Sequence, residues 1–177
     1  MKKMMAILMA LALVIAATAA MAEENTFTFR NGVTFGLNMD QVMAAETGRY
    51  EIDSEHTHGP VDFDELEYEN VMIEGKPADL TYLFVGNELV AIRISFEDRA
   101  VTFDQAKADL TAFAGAEAGP VDLARLANGI YAADDDGRLE NKTEAIVFGN
   151  TMIIIEADED DVDVTFVDLN AAYVNVQ

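Results

Sequence analysis

Two stretches of the sequence decide the fold, because each joins two apolar runs through a Gly-Asn pair. Residues 82–92 read YLFVGNELVAI, and residues 145–155 read AIVFGNTMIII. Glycine adopts a positive φ without steric cost and asparagine tolerates it, which is what the two-residue turn of a β-hairpin requires. The flanking residues are mostly β-branched, aromatic or otherwise apolar, as is typical of strands. We therefore predict a β-hairpin at each Gly-Asn pair.

The order of features around the two hairpins indicates an internal duplication. Gly86 and Gly149 lie 63 positions apart, and a capping-box pattern precedes each hairpin, with Gln three residues after Asn38 and after Thr102. The sequence predicts an α+β fold of two tandem helix–β-meander repeats, with helices on one face of an antiparallel sheet. The alternative is two unrelated hairpins in one antiparallel sheet of the same α+β class.

The spacing of apolar residues gives approximate bounds for several elements. We predict helices from about Met39 to Glu46 and from Phe103 to Ala114, because apolar residues recur there at helical intervals. We predict strands from Glu65 to Glu74 and from Val162 to Leu169, with a turn at Gly75–Asp79 between the first of these and the hairpin at Gly86.

Residues 1–22 have the pattern of a secretory signal peptide. A basic start precedes an uncharged apolar run, and residues 20–22, Ala-Met-Ala, form a small-x-small cleavage site. An uncleaved anchor is the alternative, because the apolar run is nearly long enough to span a bilayer. We expect repeats at 23–98 and 99–177, together one compact domain, in a secreted or periplasmic protein with no membrane span after cleavage.

The charge and the lack of cysteine exclude several classes of function. The chain has 33 acidic and 11 basic residues, a formal net charge of −22 and no cysteine. Such a charge argues against nucleic acid and anionic membranes as partners and favours a partner with a basic surface, although it also serves solubility alone. Without cysteine there is no disulfide, no thiol catalysis and no cysteine-based zinc site, so stability depends on the core.

Candidate metal ligands lie in two polar segments. His56 and His58 share a loop with acidic residues, and imidazole with carboxylate suits a transition metal. Asp134 and Asp136 precede Gly137 in a run that resembles a calcium loop, but the EF-hand pattern places Ala132 at its first ligand position and therefore fails. The alternative readings are a solvated loop for the histidines and a hairpin turn for the aspartates.

The sequence contains no recognisable catalytic or cofactor-binding set. A Gly-rich phosphate loop and a dinucleotide fingerprint are both missing, and the two serines give no sign of a catalytic triad. We therefore expect no catalytic residue, no cofactor and no enzymatic activity.

One short motif resembles a known family. Residues 36–42 read GLNMDQV, a capped helix start that is followed here by a predicted meander. This arrangement resembles the small outer-membrane assembly lipoproteins of the BamE/SmpA type, and two such units in tandem resemble the β-lactamase inhibitor protein (BLIP-like) architecture. The chain lacks the N-terminal cysteine of the lipoproteins and the disulfides of the inhibitors. The resemblance implies the fold and a tendency to bind proteins, and no functional residue.

These observations favour a secreted or periplasmic, non-enzymatic module that binds another protein through its sheet face or hairpin tips. The alternative is an acidic extracytoplasmic protein that binds divalent cations through its acidic turns or its histidine loop. An enzyme of unknown class is a second alternative.

Overall fold

The fold consists of helices packed on an antiparallel sheet. The computed structural model describes residues 27–53, 64–97, 100–116, 118–120, 142–157 and 161–171. Its helices are α1 (Met39–Ala45) and α2 (Phe103–Ala114), and a single 3-10 turn spans Arg30–Gly32. Its strands are β1 (Glu51–Asp53), β2 (Asp64–Ile73), β3 (Lys76–Val85), β4 (Glu88–Phe96), β5 (Gly119–Pro120), β6 (Lys142–Phe148), β7 (Thr151–Ala157) and β8 (Val162–Asp168).

The described strands form one sheet in the order β1-β2-β3-β4-β8-β7-β6-β5. Every neighbouring pair is antiparallel, which confirms the predicted α+β class with an antiparallel sheet. The central contact is between β4 and β8, where Ile92 lies opposite Phe166. The two shortest strands, β1 and β5, lie at the edges.

Both Gly-Asn pairs form two-residue hairpin turns. Gly86 and Asn87 have φ of +58° and +68° and connect β3 to β4, whereas Gly149, also at +58°, begins the turn from β6 to β7. The first hairpin therefore contains a central strand, and the second contains two strands that lie outside β8. The 63-residue offset does not relate strands at equivalent positions of the sheet.

The turn predicted at Gly75–Asp79 is wrong. Glu74 and Gly75 have φ of +58° and +77°, and Ile73 pairs with Lys76, so the turn has only two residues and β3 begins at Lys76. Along two antiparallel strands, residue pairs that exchange hydrogen bonds alternate with pairs that do not. Pro77 lies opposite Met72 in a pair that exchanges none. Its missing N–H faces away from β2, so the strand loses no bond to β2 there.

The helices begin where the capping patterns predict. The Asn38 side chain accepts a hydrogen bond from the Gln41 backbone N–H at 2.9 Å, and the Gln41 side chain accepts one from the Asn38 N–H, also at 2.9 Å. Thr102 caps α2 through its hydroxyl, which accepts from the Gln105 N–H. Gly115 ends α2 with φ of +66°, a left-handed conformation that glycine adopts without strain.

The main core lies between the helices and the face of the sheet that we call the first face. It contains Val42 of α1, Leu110 of α2 and alternate residues of the strands, such as Tyr82, Ile92 and Phe166. The segment before α1 joins this core through Phe27, whose ring centroid lies 4.9 Å from that of Phe166. Both helices therefore pack against the centre of the sheet through one apolar layer.

Candidate functional site

The predicted metal ligands are not placed by the structure. His56, His58, Asp134 and Asp136 lie outside the described residues. Among the residues that are described, no three His, Cys, Asp or Glu side chains are grouped closely enough to hold a metal ion.

The face of the sheet opposite the first face, which we call the second face, is defined by strand register. Residues directly opposite each other on neighbouring strands point to the same face, as do residues two apart on one strand. Two rows of paired residues cross this face from β2 to β6: Glu65–Leu83–Ala91–Val167–Met152–Val147 and Glu67–Thr81–Arg93–Thr165–Ile154–Ala145. A third row runs from β3 to β6: Asp79–Ser95–Asp163–Glu156–Thr143.

The second face carries its own apolar cluster. Its buried members are Leu83, Val90, Ala91, Ile154 and Val167, and its partly buried members are Val85, Ala145, Met152 and Ala171. Among the described residues, neither helix contributes to this cluster. At its β6 end, Val147 is 57% exposed and lies directly opposite Met152. The apolar surface thus extends to solvent at this end of the sheet.

Acidic side chains border the cluster along the third row. Glu156 lies opposite Asp163, and the Thr143 hydroxyl donates to Oε1 of Glu156 across 3.4 Å. Burial, as the largest cause, and the charge of Asp163 together raise the pKa of Glu156 to about 7, against the lowering effect of the Arg93 charge. The effect of Asp163 follows from Coulomb repulsion, since two carboxylates close together disfavour double ionisation. Two acidic side chains therefore lie side by side at this border of the cluster.

The second of the three rows ends on β2 in another acidic residue, Glu67. Burial raises the pKa of Glu67, as do the negative charges of Asp79, Glu65, Glu69 and Glu51. Arg93 lies two strands away in the same row. Acidic residues therefore border the apolar cluster on the β2 side as well.

A buried polar cluster joins α1 to the first face, and we call it the junction cluster. Glu46 directly follows α1 and is only 6% exposed. The Tyr82 hydroxyl donates to Glu46 Oε1 at 2.5 Å, and the Asn31 amide donates to Oε2 at 3.0 Å. The Arg30 guanidinium lies 3.3 Å from Oε2. A buried carboxylate is tolerated because these donors replace its hydration.

The junction cluster holds the Tyr82 hydroxyl as a hydrogen-bond donor to Glu46. Burial raises the pKa of Tyr82 far above its ordinary value, and the adjacent Glu46 charge and hydrogen bond raise it further. The phenol therefore stays protonated and acts as a fixed donor. The cluster connects three parts of the chain, namely the 3-10 turn, the end of α1 and β3.

Sequence patterns did not identify either of these polar groupings. The sequence predicts Glu46 as the last residue of the first helix and places Tyr82 in the apolar run before Gly86. Glu156 follows an apolar run and carries no motif. Each became distinctive only through contacts with residues distant in the chain, for which a single sequence holds no local signal.

Comparison with known proteins adds no assignment. No protein-family model, curated protein or solved structure matches this chain. Within the described residues, neither helix is long and apolar enough to cross a lipid bilayer.

Proposed function

We propose that this chain is an exported, non-enzymatic module that binds another protein on the second face of its sheet. The observation that carries the proposal is the apolar cluster of that face, which reaches solvent at Val147 and is bordered by Glu156 and Asp163. The buried members of this cluster are at most 4% exposed, so the surface that it offers to a partner is its β6 end at Val147. An exposed apolar surface with a polar rim is typical of protein-binding sites. In the described part of the chain, this face offers no grouped metal ligands.

The chemistry of the face favours a partner with a basic surface. The carboxylates of Glu156 and Asp163 lie beside the apolar cluster, and the chain has a formal net charge of −22. A second copy of the same chain would bring a like charge against this face, which opposes association. A protein that presents apolar side chains next to Lys or Arg matches both the cluster and its acidic border.

Capture from the native extracytoplasmic fraction tests the proposal. The bait would be the wild-type protein, Val147→Lys in the second face, and Ala112→Lys as a matched control on an exposed position of α2. We expect a basic protein to be recovered by the wild type and by Ala112→Lys, but at least tenfold less by Val147→Lys, as expected when a charge replaces an apolar contact worth about 1.4 kcal/mol or more.

Equal recovery by all three baits would contradict binding through this face. Recovery of no reproducible protein at any salt concentration would contradict the binding function itself. The salt dependence serves as a further check, since a contact steered by opposite charges weakens as ionic strength rises.

We also propose that residues 1–22 direct export and are then removed. The support is the basic start, the uncharged apolar run and the Ala-Met-Ala site in the sequence. Mass spectrometry of the protein recovered outside the cytoplasm should give a mass beginning at Glu23. A mass that retains Met1 would instead favour an uncleaved anchor.

We propose further that the chain is a tandem of two related units, similar in arrangement to the BLIP-like family. The support is the order of the described elements: α1 precedes β1 to β4, α2 precedes β5 to β8, and the sheet order has the same sequence from each edge to the β4–β8 contact. An experimental structure in which the two halves fail to superpose would remove this proposal without affecting the binding face.

A further inference from the structure

The chain reverses direction where it leaves β8, the last described strand. The Leu169 N–H donates to the Asn150 carbonyl oxygen at 2.8 Å, which holds the end of β8 beside the turn between β6 and β7. The Ala171 N–H then donates to the Asp168 carbonyl oxygen at 3.3 Å. A hydrogen bond between residues three apart is typical of a β-turn, which reverses the chain. The chain beyond Ala171 is therefore directed back from the end of β8.

Ala171 lies against the apolar cluster of the second face. It is partly buried and packs against this cluster, as Met152 does. Met152 lies opposite Val167 on one side and opposite the exposed Val147 on the other. The described part of the chain therefore ends in contact with the same apolar surface that reaches solvent at Val147.

The sequence that follows Ala171 suits an apolar surface. Residues 172–177 read AYVNVQ and lie outside the described residues. Ala172, Val174 and Val176 recur at every second position, so an extended chain presents all three on one side. Residues 169–177 include no charged side chain, although 25% of the residues in the protein are charged. This segment can therefore cover apolar surface without burying a charge.

The segment is long enough to reach the exposed end of the second face. In the sheet, β6 is the second strand from β8, a separation of about 10 Å at the usual spacing of neighbouring strands. Three residues of extended chain also span about 10 Å, so Val174 can reach Val147 from Ala171. In the opposite direction the same row of the sheet ends at Glu65 on β2. The β6 end is therefore the end that an uncharged, apolar segment matches.

We propose that residues 172–177 pack over Met152 and Val147 at the β6 end of the second face, and that a partner displaces them when it binds there. The contact between the segment and the face stands without the proposed function, whereas the displacement rests on it. Such a cover shields apolar surface while no partner is bound. It also weakens the apparent affinity for the partner, in proportion to the fraction of molecules whose face is uncovered.

Introduced cysteine pairs test the contact without a partner, because the chain has no cysteine of its own. The double variant Val147→Cys/Val174→Cys forms an intramolecular disulfide only if the two Cα atoms come within about 7 Å. Ala112→Cys/Val174→Cys is the matched control, since position 112 is exposed on α2, which packs against the first face. After mild oxidation of the dilute monomer, we expect mass spectrometry to find roughly tenfold more of the linked form in the Val147 pair. Equal yields from the two pairs overturn the proposal.

Charged substitutions in the segment test the displacement. Val174→Asp/Val176→Asp places two charges on the apolar side of the segment and leaves the second face unchanged, so we expect it to capture roughly threefold more of the basic partner than the wild type. Asn175→Asp/Gln177→Asp adds the same charge on the other side and should capture as the wild type does. Equal capture by both variants overturns the displacement. If no bait recovers a partner, the proposed function fails, and the disulfide yield of the Val147 pair still decides whether the segment covers the face.

Discussion

The two faces of the sheet are built from alternate residues of the same strands, yet they pack against different surroundings. The first face packs against α1, α2 and the aromatic segment before α1, within one large cluster. The second face carries a smaller apolar cluster that ends beside acidic side chains. In β7 the residues Ile153, Ile154 and Ile155 are all fully buried, so this strand is apolar on both faces.

The two faces also differ in the polar groups that accompany their apolar clusters. The first face holds the larger apolar cluster and the junction cluster, and both connect elements that are distant in sequence. The second face combines apolar area with raised carboxyl pKa values, which is costly for folding, and it is the face that we propose binds a partner. Ionisable groups with shifted pKa values often mark functional surfaces.

The largest expected effect on the free energy of unfolding comes from truncating one buried isoleucine on each face of the sheet. Ile92 and Ile154 are both fully buried, the first in the large cluster and the second in the small one. We expect Ile92→Ala to lower the free energy of unfolding by about 4 kcal/mol and Ile154→Ala by about 2 kcal/mol, because a smaller cluster relaxes more easily around a deletion. Chemical denaturation measures both, and equal losses would mean that the second face is core of the same kind.

A smaller effect depends on pH and concerns only the second face. The pKa of Glu156 is about 7, above its ordinary value of 4.5. As pH rises from about 4.5 to about 7, the unfolded chain releases this proton while the folded chain retains it, so folding stability falls across this window. Glu156→Gln removes the loss, and we expect it to stabilise the protein by about 1–2 kcal/mol at pH 8, since solvent screens part of the effect.

The control for this experiment is the same comparison at pH 4, where both states of the wild type carry the proton. There we expect the two proteins to have the same thermal midpoint, apart from the small effect of exchanging an acid for an amide. A stabilisation that is equal at pH 4 and pH 8 would show that the carboxyl charge is not its cause.

The smallest expected effect concerns the exposed edge of the second face. Val147 is 57% exposed, and we expect Val147→Lys to change the free energy of unfolding by less than about 1 kcal/mol. Thermal unfolding checks this value. A larger loss would mean that Val147 supports the fold, and reduced capture by this variant would then no longer report on binding alone.

Local patterns were sufficient for the elements that depend on nearby residues. Both helix starts follow from a capping residue with Gln three positions later, and both hairpins follow from Gly-Asn between apolar runs. The predicted turn at Gly75–Asp79 is too long, because β3 begins at Lys76 and tolerates Pro77. Its tolerance depends on which direction its missing N–H faces, and the register of β2 against β3 sets that direction.

The candidate sites depend on contacts that no local pattern contains. Glu46 is separated from Tyr82 by 36 residues and from Asn31 by 15, and Glu156 meets Asp163 only because β7 pairs with β8. The 63-residue offset between the Gly-Asn pairs was real in the sequence but did not correspond to equivalent strands. A turn motif records the local conformation and not the position of the strands within a sheet.

The sequence by itself determined the α+β class, the caps of α1 and α2 and the two Gly-Asn hairpins, because φ preferences, capping bonds and apolar periodicity act over a few residues. Only the tertiary structure decided that β4 lies beside β8, that Glu46 is buried beneath Tyr82, and that acidic groups border the second apolar cluster. These features depend on strand register and on burial, which bring together residues that are far apart in the chain.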